Sequence, residues 1–346
     1  MKRLIRRASS VLLLVGAGVG LLPSPAAAWG AEGHRIVARI AAAELPPAAR
    51  TAVVSILQKD KHLTDCVAKE HLPVKTPADV LSCVATWADA VRNTPAYKFS
   101  RPFHFVNIPI DAQGFDAARD CPAAKGCVVS ALEQYRQVLA DKSRVRPERA
   151  EALKFIVHFM GDLHQPLHNV IDKDRDLANP ENAGKNLPES PEGDRGGNTK
   201  IVTWFTEDSN QFGCWNLHAV WDDGMIDRRN LSIEKYAETL RSKITPAVRS
   251  QRAQGTLVDW VDEAFKLAVK NGYALPSRDQ NDRVCEVRGP HNNECTPLSA
   301  TTCKVEEVHY RYHLAQPYFD ANIGTVEAQL TAAGIRLATI LKEILK

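Results

Sequence analysis

Apolar residues recur at helical spacing over most of the chain, within stretches that are rich in alanine. This spacing places the apolar side chains on one face of a helix, where they can pack against a core. Three prolines, Pro46, Pro77 and Pro147, stand where helices can begin. The predicted helices are 33–45, 47–58, 77–92, 128–141, 147–165, 231–246, 255–273 and 317–345.

Alternation with a period of two, which is typical of a strand, is rare, and its best candidate is KIVTWF at 200–205. Residues 171–198 are polar and rich in Gly, Pro, Asn and Asp, so they predict a long surface loop. Residues 276–303 predict a second irregular segment. Because candidate chemistry lies on both sides of the first loop, this loop does not separate two domains. Together with the predicted helices, this indicates an all-α fold, a single mainly helical domain with long surface loops.

The first 28 residues have a cationic start, MKRLIRR, an apolar middle and a small-residue end, PSPAAA. This is the layout of a secretory signal peptide with an Ala-x-Ala cleavage site. A membrane anchor is the alternative, but the apolar run is short and rich in glycine. We expect 1–28 to be removed and 29–346 to form the mature domain, which begins at Trp29, is secreted or periplasmic, and keeps no membrane anchor.

The formal net charge of +3 is misleading, because the signal segment carries four Lys/Arg and no acidic residue. Without these four cations the mature chain has a net charge of −1. No basic excess therefore indicates a nucleic-acid partner. If the substrate is anionic, something other than net Lys/Arg charge must attract it.

All eight cysteines lie in the mature part, and an exported chain with an even count is expected to carry disulfides. The stretch CPAAKGC contains turn-forming residues, so Cys121 and Cys127 should close a small ring. We also propose a pairing of Cys66 with Cys83. The partners remain open for Cys214, Cys285, Cys295 and Cys303.

The stretch HFMGDLHQPLH, 158–168, carries the strongest chemical signal. His158 and Asp162 are four residues apart, so they share one face of a helix. Pro166 would end that helix, and His168 follows in the turn. Imidazole together with carboxylate is a set of ligands that suits zinc.

A second stretch, NLHAVWDDGMI at 216–226, repeats the four-residue spacing with His218 and Asp222. One such pair is more often a satisfied surface or core pair than a metal site. Two pairs, one of them with a further histidine beyond a proline, favour a metal. Asp89 in WADAVR and His104 in RPFHF form a third signal, although each alone would be interpreted as structural.

In their order along the chain, the motifs WGAEGH, WAD, HFVNIP, HFMGDLHQPLH, DRGGN and NLHAVWD resemble a known family. It is the zinc-dependent single-strand-specific nucleases of moulds and plants, the S1/P1 type, which also has bacterial members. The resemblance runs from Trp29 to about Ile226, and the C-terminal third matches only as helical sequence. It implies the helical fold of these nucleases, which bacterial zinc phospholipase C shares as a distant relative.

The resemblance implies three zinc ions per chain. Trp29 would bind one zinc through its amino nitrogen and its carbonyl oxygen, together with His34, since a neutral α-amino group has an available lone pair. The alternative for Trp29 is a buried apolar anchor. The other implied ligands are Asp89, His104 and His158 for a second zinc, Asp162 as the bridge between these two ions, and His168, His218 and Asp222 for the third.

The six other histidines match no ligand position. His164 lies inside the motif at the wrong helical angle to join His158 and Asp162, and we expect it to support a ligand through a hydrogen bond. The rest are expected to be surface or structural: His62, His71, His291, His309 and His313.

The implied reaction breaks the P–O3′ bond of single-stranded DNA or RNA and leaves 5′-phosphates, with 3′-nucleotides as further substrates. Asp89 would orient the attacking hydroxide, and Arg92 would stabilise the transition state, unless it is a solvated helix arginine. Phe105 would stack on a base, unless it belongs to the core, and Asn107 and Asn198 would hydrogen-bond to the edge of the base. The mould enzymes carry aspartate at the position of Asn107, which leaves the base preference open.

Two other functions compete with this one. A phospholipase C-like zinc phosphodiesterase would have glutamate as its last ligand and a first histidine further from the tryptophan, so Asp222 and the short Trp29–His34 spacing favour the nuclease. A secreted helical binding protein would hold structural zinc, which is closed by four protein ligands. The third site here has three implied ligands, which leaves room for water and substrate. No obligatory protein partner is inferred.

Overall fold

The helices that the apolar pattern predicts are present in the computed structural model, which describes residues 29–70, 76–173, 193–207, 209–210, 213–277, 282–288, 293–297 and 308–346. Over these residues the chain is a mainly helical single domain, which confirms the predicted fold class. The α-helices are Ala31–Glu44 (α1), Pro47–Leu57 (α2), Lys61–Glu70 (α3), Pro77–Val84 (α4), Trp87–Val91 (α5), Ala117–Asp120 (α6), Val128–Ala140 (α7), Arg146–His164 (α8), Leu217–Ala219 (α9), Met225–Asp227 (α10), Ile233–Ser242 (α11), Pro246–Arg252 (α12), Leu257–Leu267 (α13) and Gln316–Ile344 (α14).

Shorter helical segments complete this set. The segments Lys98–His104 and Pro166–Asn169 are 3₁₀-helical, and Val220–Gly224 and Ala268–Gly272 are π-helical. Proline occupies the first turn of α2, α4 and α8, as the sequence predicts.

Helix α8 lies at the centre of the fold and is packed by α7 on one side and by α14 and α1 on others. Its residues from Ala152 to His164 are all buried. A helix that is covered all round needs apolar side chains or satisfied polar ones on every face. The polar side chains on the buried part of α8 therefore require specific partners.

The predicted helix 77–92 is interrupted. It forms α4 and α5, with a turn at Ala85 and Thr86 between them. The carbonyl oxygen of Ala85 accepts a hydrogen bond from His158 Nδ1 at 2.7 Å. The interruption thus supplies a backbone acceptor to a residue of α8.

Helix α3 was not predicted. Its sequence is short and polar, and the Cys66–Cys83 disulfide ties it to α4. Covalent and tertiary contacts of this kind stabilise a helix that its own sequence pattern does not reveal.

Strands form two small sheets. The predicted strand at 200–205 is present as Val202–Trp204 (β1), which pairs in parallel with Tyr312–Leu314 (β7). The strands of the second sheet are Ser209–Asn210 (β2), Gly213–Cys214 (β3), Arg283–Arg288 (β4), Asn293–Pro297 (β5) and Val308–Tyr310 (β6). Their order in the sheet is β2-β3-β5-β4-β6.

The segment 276–303 was predicted to be irregular, and this was wrong for β4 and β5. These strands pair antiparallel from Val284 opposite Pro297 to Arg288 opposite Asn293. Their pattern is hard to find in the sequence because only Val284 and Val287 of β4 are β-branched. A disulfide from Cys214 to Cys295 fastens β5 to β3.

Both disulfides proposed from the sequence are confirmed, Cys66–Cys83 and Cys121–Cys127. The pairing of Cys214 with Cys295 answers one question that the sequence left open. Cys285 is also disulfide-bonded, and Cys303 lies outside the described residues. No cysteine in the described ranges is free.

None of the helices in the described part of the chain is both long and apolar enough to cross a membrane.

We expect the Cys214–Cys295 bond to stabilise the protein more than the Cys121–Cys127 bond. It closes 81 residues rather than 6, and loop-closure entropy assigns about 4.5 kcal/mol to the first and about 2 kcal/mol to the second. The measurement is urea unfolding of the two paired Cys→Ala variants, after peptide mapping without reduction has confirmed the remaining bonds. Greater destabilisation in the Cys121/Cys127 variant would contradict this expectation.

Candidate metal centre

Eight histidine and aspartate side chains that are far apart in sequence meet in one buried region. They form three groups in which the candidate ligand atoms lie within 4.8 Å of one another. The groups are His34, His158 and Asp162; Asp89, His104 and His158; and His168, His218 and Asp222. The structure thus brings together the His and Asp residues that the sequence predicts as ligands.

Asp162 on α8 connects the first two groups. Its Oδ1 atom lies 3.3 Å from His34 Nε2, while its Oδ2 atom lies 3.0 Å from His104 Nδ1 and 3.3 Å from His158 Nε2. The two oxygens of one carboxylate therefore face different groups. This is the arrangement that a bridging ligand requires.

Close packing against α8 positions His34. Its ring stacks on that of His158, with centroids 3.9 Å apart. A Cβ atom added at Gly161 would lie 2.5 Å from His34 Nδ1, so the ring occupies space that only glycine leaves.

Backbone carbonyls orient three of the imidazoles. His158 Nδ1 donates to Ala85 O at 2.7 Å, and His168 Nδ1 donates to His104 O at 2.7 Å. His218 Nδ1 donates to Gly196 O at 2.8 Å. Because each of these bonds uses the Nδ1–H proton, the neutral ring presents the lone pair of Nε2 to the centre.

Two of these lone pairs face each other. His168 Nε2 lies 3.0 Å from His218 Nε2, and Asp222 Oδ2 lies 3.3 Å from His218 Nε2. Burial lowers the pKa of both imidazoles, so burial itself opposes a proton between them. Three acceptors at these distances repel one another unless a cation lies among them.

The group around Asp162 also favours positive charge. Burial lowers the pKa of His158, but the carboxylates of Asp162 and Asp89 outweigh this effect and raise the pKa to about 10. Burial would likewise raise the pKa of Asp89, and His158 and Arg92 outweigh it, so this carboxyl is ionised at neutral pH.

Buried polar atoms without a hydrogen-bond partner concentrate on the same side chains. They include both ring nitrogens of His34, His104 Nε2, Asp89 Oδ1, both carboxylate oxygens of Asp162 and Asp222 Oδ2. Several of these atoms lie within ion-pair distance of a neighbour, but their angles do not allow a hydrogen bond. Unpaired buried polar atoms are costly, so these donors fit a metal ion as their partner.

The turn that orients His218 is built by Asp194. This side chain is fully buried and accepts hydrogen bonds from the backbone N–H groups of Asp172, Gly196 and Gly197 and from the Tyr273 hydroxyl at 2.6 Å. Gly196 has a φ of 67°, and an added Cβ would lie 2.1 Å from Leu167 O.

The prediction of a surface loop at 171–198 is therefore wrong for its last residues, which fold into the protein. Residues 174–192 lie outside the described residues. The sequence signal that could have revealed this turn is DRGGN, in which an aspartate precedes two glycines.

Gln165 is a second residue that the sequence reasoning missed. It is fully buried, and its Nε2 donates to Asp222 Oδ1 at 2.6 Å while its Oε1 accepts from Leu167 N. This bond fixes the carboxylate of Asp222. Its signal was the amide between two histidines in HQPLH.

Trp29 lies at the edge of the same region. Its side chain is fully buried, as the anchor interpretation requires, and the next residue, Gly30, donates its N–H to Asp222 O at 3.0 Å. The N-terminal segment that carries Trp29 and His34, here called the arm, therefore lies against the segment that carries Asp222.

The burial of Arg92 and that of Phe105 decide between the two interpretations that the sequence left open for each residue. Arg92 is 9% exposed and its Nη1 lies 3.0 Å from Asp89 Oδ1, so it is not a solvated helix arginine. Phe105 is 39% exposed and does not belong to the core. Asn107 is exposed as well, while Asn198 is half-buried and donates to Arg195 O.

His164 does not support a ligand, contrary to the sequence expectation. Its Nδ1 donates to Met160 O, and its Nε2 accepts from Arg336 Nη1 at 3.0 Å. It points away from His158 and Asp162 because it is two residues beyond Asp162 on the helix. His62 and His313 join none of the three groups, while His71, His291 and the side chain of His309 lie outside what the structure describes.

Comparison with known proteins agrees with this geometry. Residues 29–346 match the family model described as S1/P1 Nuclease. Nuclease S1 of Aspergillus oryzae is 29% identical over 338 residues, which is 95% of this chain and 96% of the relative. Nuclease P1 of Penicillium citrinum is 30% identical over 325 residues, 91% and 97% of the two chains.

A plant relative, Endonuclease 2 of Arabidopsis thaliana, is 33% identical over 231 residues, which is 63% of this chain and 64% of the relative. These matches do not favour the phospholipase alternative. Since the family model covers the chain from Trp29 to its last residue, and the buried His and Asp groups lie within it, the chain belongs to the S1/P1 nuclease family.

Proposed function

We propose that this chain is a secreted or periplasmic, zinc-dependent endonuclease. It hydrolyses phosphodiester bonds of single-stranded DNA and RNA to give 5′-phosphates, and it accepts 3′-nucleotides. The observation that carries the proposal is the presence of three neighbouring His/Asp groups, two of them connected by Asp162, in a chain of the S1/P1 nuclease family. The described disulfides suit an exported protein.

Three zinc ions are proposed: one held by Trp29 and His34, one by Asp89, His104 and His158, with Asp162 shared between these two, and one by His168, His218 and Asp222. Imidazole nitrogen and carboxylate oxygen are ligands that zinc prefers, and the unpaired buried atoms of these side chains support a metal there. The third group offers three protein ligands, His168, His218 and Asp222. A site with three protein ligands keeps a position for water or substrate, as catalytic zinc sites do.

The mature N-terminus is proposed to be Trp29, after cleavage behind Ala28. Its amine and carbonyl oxygen would then join His34 as zinc ligands. The bond from Gly30 N–H to Asp222 O supports this, because it holds the arm beside the ligands. The family match, which begins at Trp29, supports the same start.

When bound, zinc supplies Lewis acidity and lowers the pKa of a coordinated water. Asp89 is ionised, so it accepts hydrogen bonds only and can orient that water for attack. The buried guanidinium of Arg92 lies beside Asp89, with Nη1 3.0 Å from Oδ1. A guanidinium at this position is suited to donate N–H hydrogen bonds to phosphoryl oxygens on which charge develops.

Base recognition is proposed at Phe105, Asn107 and Asn198. The ligand His104 is buried, Phe105 is exposed, Val106 is buried and Asn107 is exposed, so both proposed contacts lie on the solvent side of an extended segment. Stacking on Phe105 accepts any base, and the two amides can donate to or accept from a base edge.

Removal of zinc should abolish hydrolysis of single-stranded DNA. We expect dialysis against a chelator to lower the rate to below about one hundredth, because the bound water loses its lowered pKa, and zinc to restore it. The assay compares a single-stranded oligonucleotide, its duplex, an RNA and phosphatidylcholine. Full activity of the metal-free protein, or hydrolysis of the lipid alone, would refute the proposed function.

An alanine added before Trp29 should impair one zinc site. In that variant the terminal amine becomes an amide, whose delocalised lone pair makes it a poor ligand. We expect a loss of up to one zinc per chain and a lower rate at limiting zinc, while the fold persists. Zinc stoichiometry and turnover are compared between the Trp29 start and the Ala-Trp29 start. Equal values would mean that Trp29 is an apolar anchor only.

A further inference from the structure

Two aromatic rings stand out by their exposure. Among the Phe, Tyr and Trp side chains whose burial the structure describes, Phe99 and Phe105 alone are in the exposed class, at 54% and 39%. They are six residues apart; Phe99 lies within the 3₁₀ segment Lys98–His104, and Phe105 directly follows it. That segment ends at the candidate ligand His104.

Two neighbouring aromatic rings pack against the ring of Phe99. Its centroid lies 6.2 Å from that of Tyr97 and 6.1 Å from that of Phe103, the latter edge to face. Phe103 in turn contacts Phe159 on α8, and Tyr97 contacts Trp87. An exposed ring with fixed neighbours loses little conformational entropy when it stacks on a ligand.

The charge around Phe99 suits a polyanion. From Val91 to Ile110 the chain has no Asp or Glu, although the mature protein as a whole is nearly neutral. Lys98 and Arg101, which flank Phe99, are both exposed. Arg101 is oriented by a hydrogen bond from Nη2 to Asn93 Oδ1 at 2.7 Å. A ring between two cations is the combination that binds single-stranded nucleic acid without sequence preference.

The spacing excludes one base as the partner of both rings. A 3₁₀ helix rises about 2.0 Å per residue, so six residues separate Phe99 from Phe105 by about 12 Å along the chain. A stacked strand advances about 3.4 Å per nucleotide, so about three or four nucleotides span this distance.

We propose that Phe99, with Lys98 and Arg101, is a second base-stacking subsite for single-stranded nucleic acid. It binds nucleotides of the same strand beyond the one at Phe105, and it makes longer strands better substrates than dinucleotides. This inference rests on the proposed nuclease function. It assigns Phe99 to substrate binding and not to the chemical step.

The test compares the zinc-loaded wild type with Phe99→Ala and Phe99→Trp on two substrates, a dodecamer of thymidylate and the dinucleotide dTpdT. Stacking on one aromatic ring accounts for about five- to hundredfold in binding, so Phe99→Ala should raise the KM for the dodecamer by that factor. The kcat for the dodecamer and the kcat/KM for the dinucleotide should stay within about twofold. Phe99→Trp should restore the dodecamer KM, because it keeps an aromatic surface.

Two further variants serve as references. Val145→Ala changes another exposed apolar side chain, 61% exposed at the start of α8, and should leave both substrates unaffected. Phe105→Ala should impair both substrates. An equal loss on the dodecamer and the dinucleotide in Phe99→Ala, or no loss on either, would overturn the subsite.

A binding measurement separates this inference from the proposed function. Fluorescence anisotropy of a labelled phosphorothioate dodecamer gives the affinity of the zinc-loaded wild type and of Phe99→Ala. Equal affinities would overturn the subsite whether or not the strand is cleaved. Failure of the wild type to cleave either substrate, with a weaker affinity in Phe99→Ala, would refute the nuclease function and keep the subsite.

Discussion

The structure depends on buried hydrogen-bond acceptors that face one another in the candidate metal centre. The Nε2 atoms of His168 and His218 are 3.0 Å apart, and each ring donates a hydrogen bond from its Nδ1–H group to a backbone carbonyl. Such an arrangement is unfavourable for the protein alone and favourable around a cation. Two irregular backbone features of the fold orient imidazoles of this centre. The turn between α4 and α5 frees the carbonyl of Ala85, and the left-handed Gly196 aims its carbonyl at His218.

The candidate ligands that residue spacing alone could pair are those that lie together on one helical segment. His158 and Asp162 lie four residues apart on α8, and His218 and Asp222 repeat this spacing across a helical segment, so periodicity was enough to pair them. The helices themselves followed from the same kind of local pattern. The relation of His34 to Asp162, by contrast, joins α1 to α8 and entered only through the resemblance to known nucleases.

Residues that support the ligands were harder to predict, because their contacts are distant in sequence and polar. Ala85 contacts His158 across 73 residues through a backbone atom, which no side-chain pattern reveals. Asp194 was placed in a surface loop because aspartate and glycine are typical of loops. Here that composition forms a buried turn, in which the carboxylate takes up backbone N–H groups that would otherwise lack partners. Composition alone does not distinguish a turn that faces solvent from one that closes a site.

Charge connects these observations to the substrate. The mature chain has a net charge of −1, and its eight candidate ligands include three carboxylates, so these side chains alone carry no net positive charge that would attract a polyanion. With divalent cations bound, the same centre would gain positive charge, and binding of a nucleic acid as well as catalysis would then depend on metal loading. The acid-free stretch from Val91 to Ile110 leads up to this centre and includes both exposed aromatic rings. Its cations do not depend on metal, so the proposed stacking subsite would contact a strand even when the centre holds no metal.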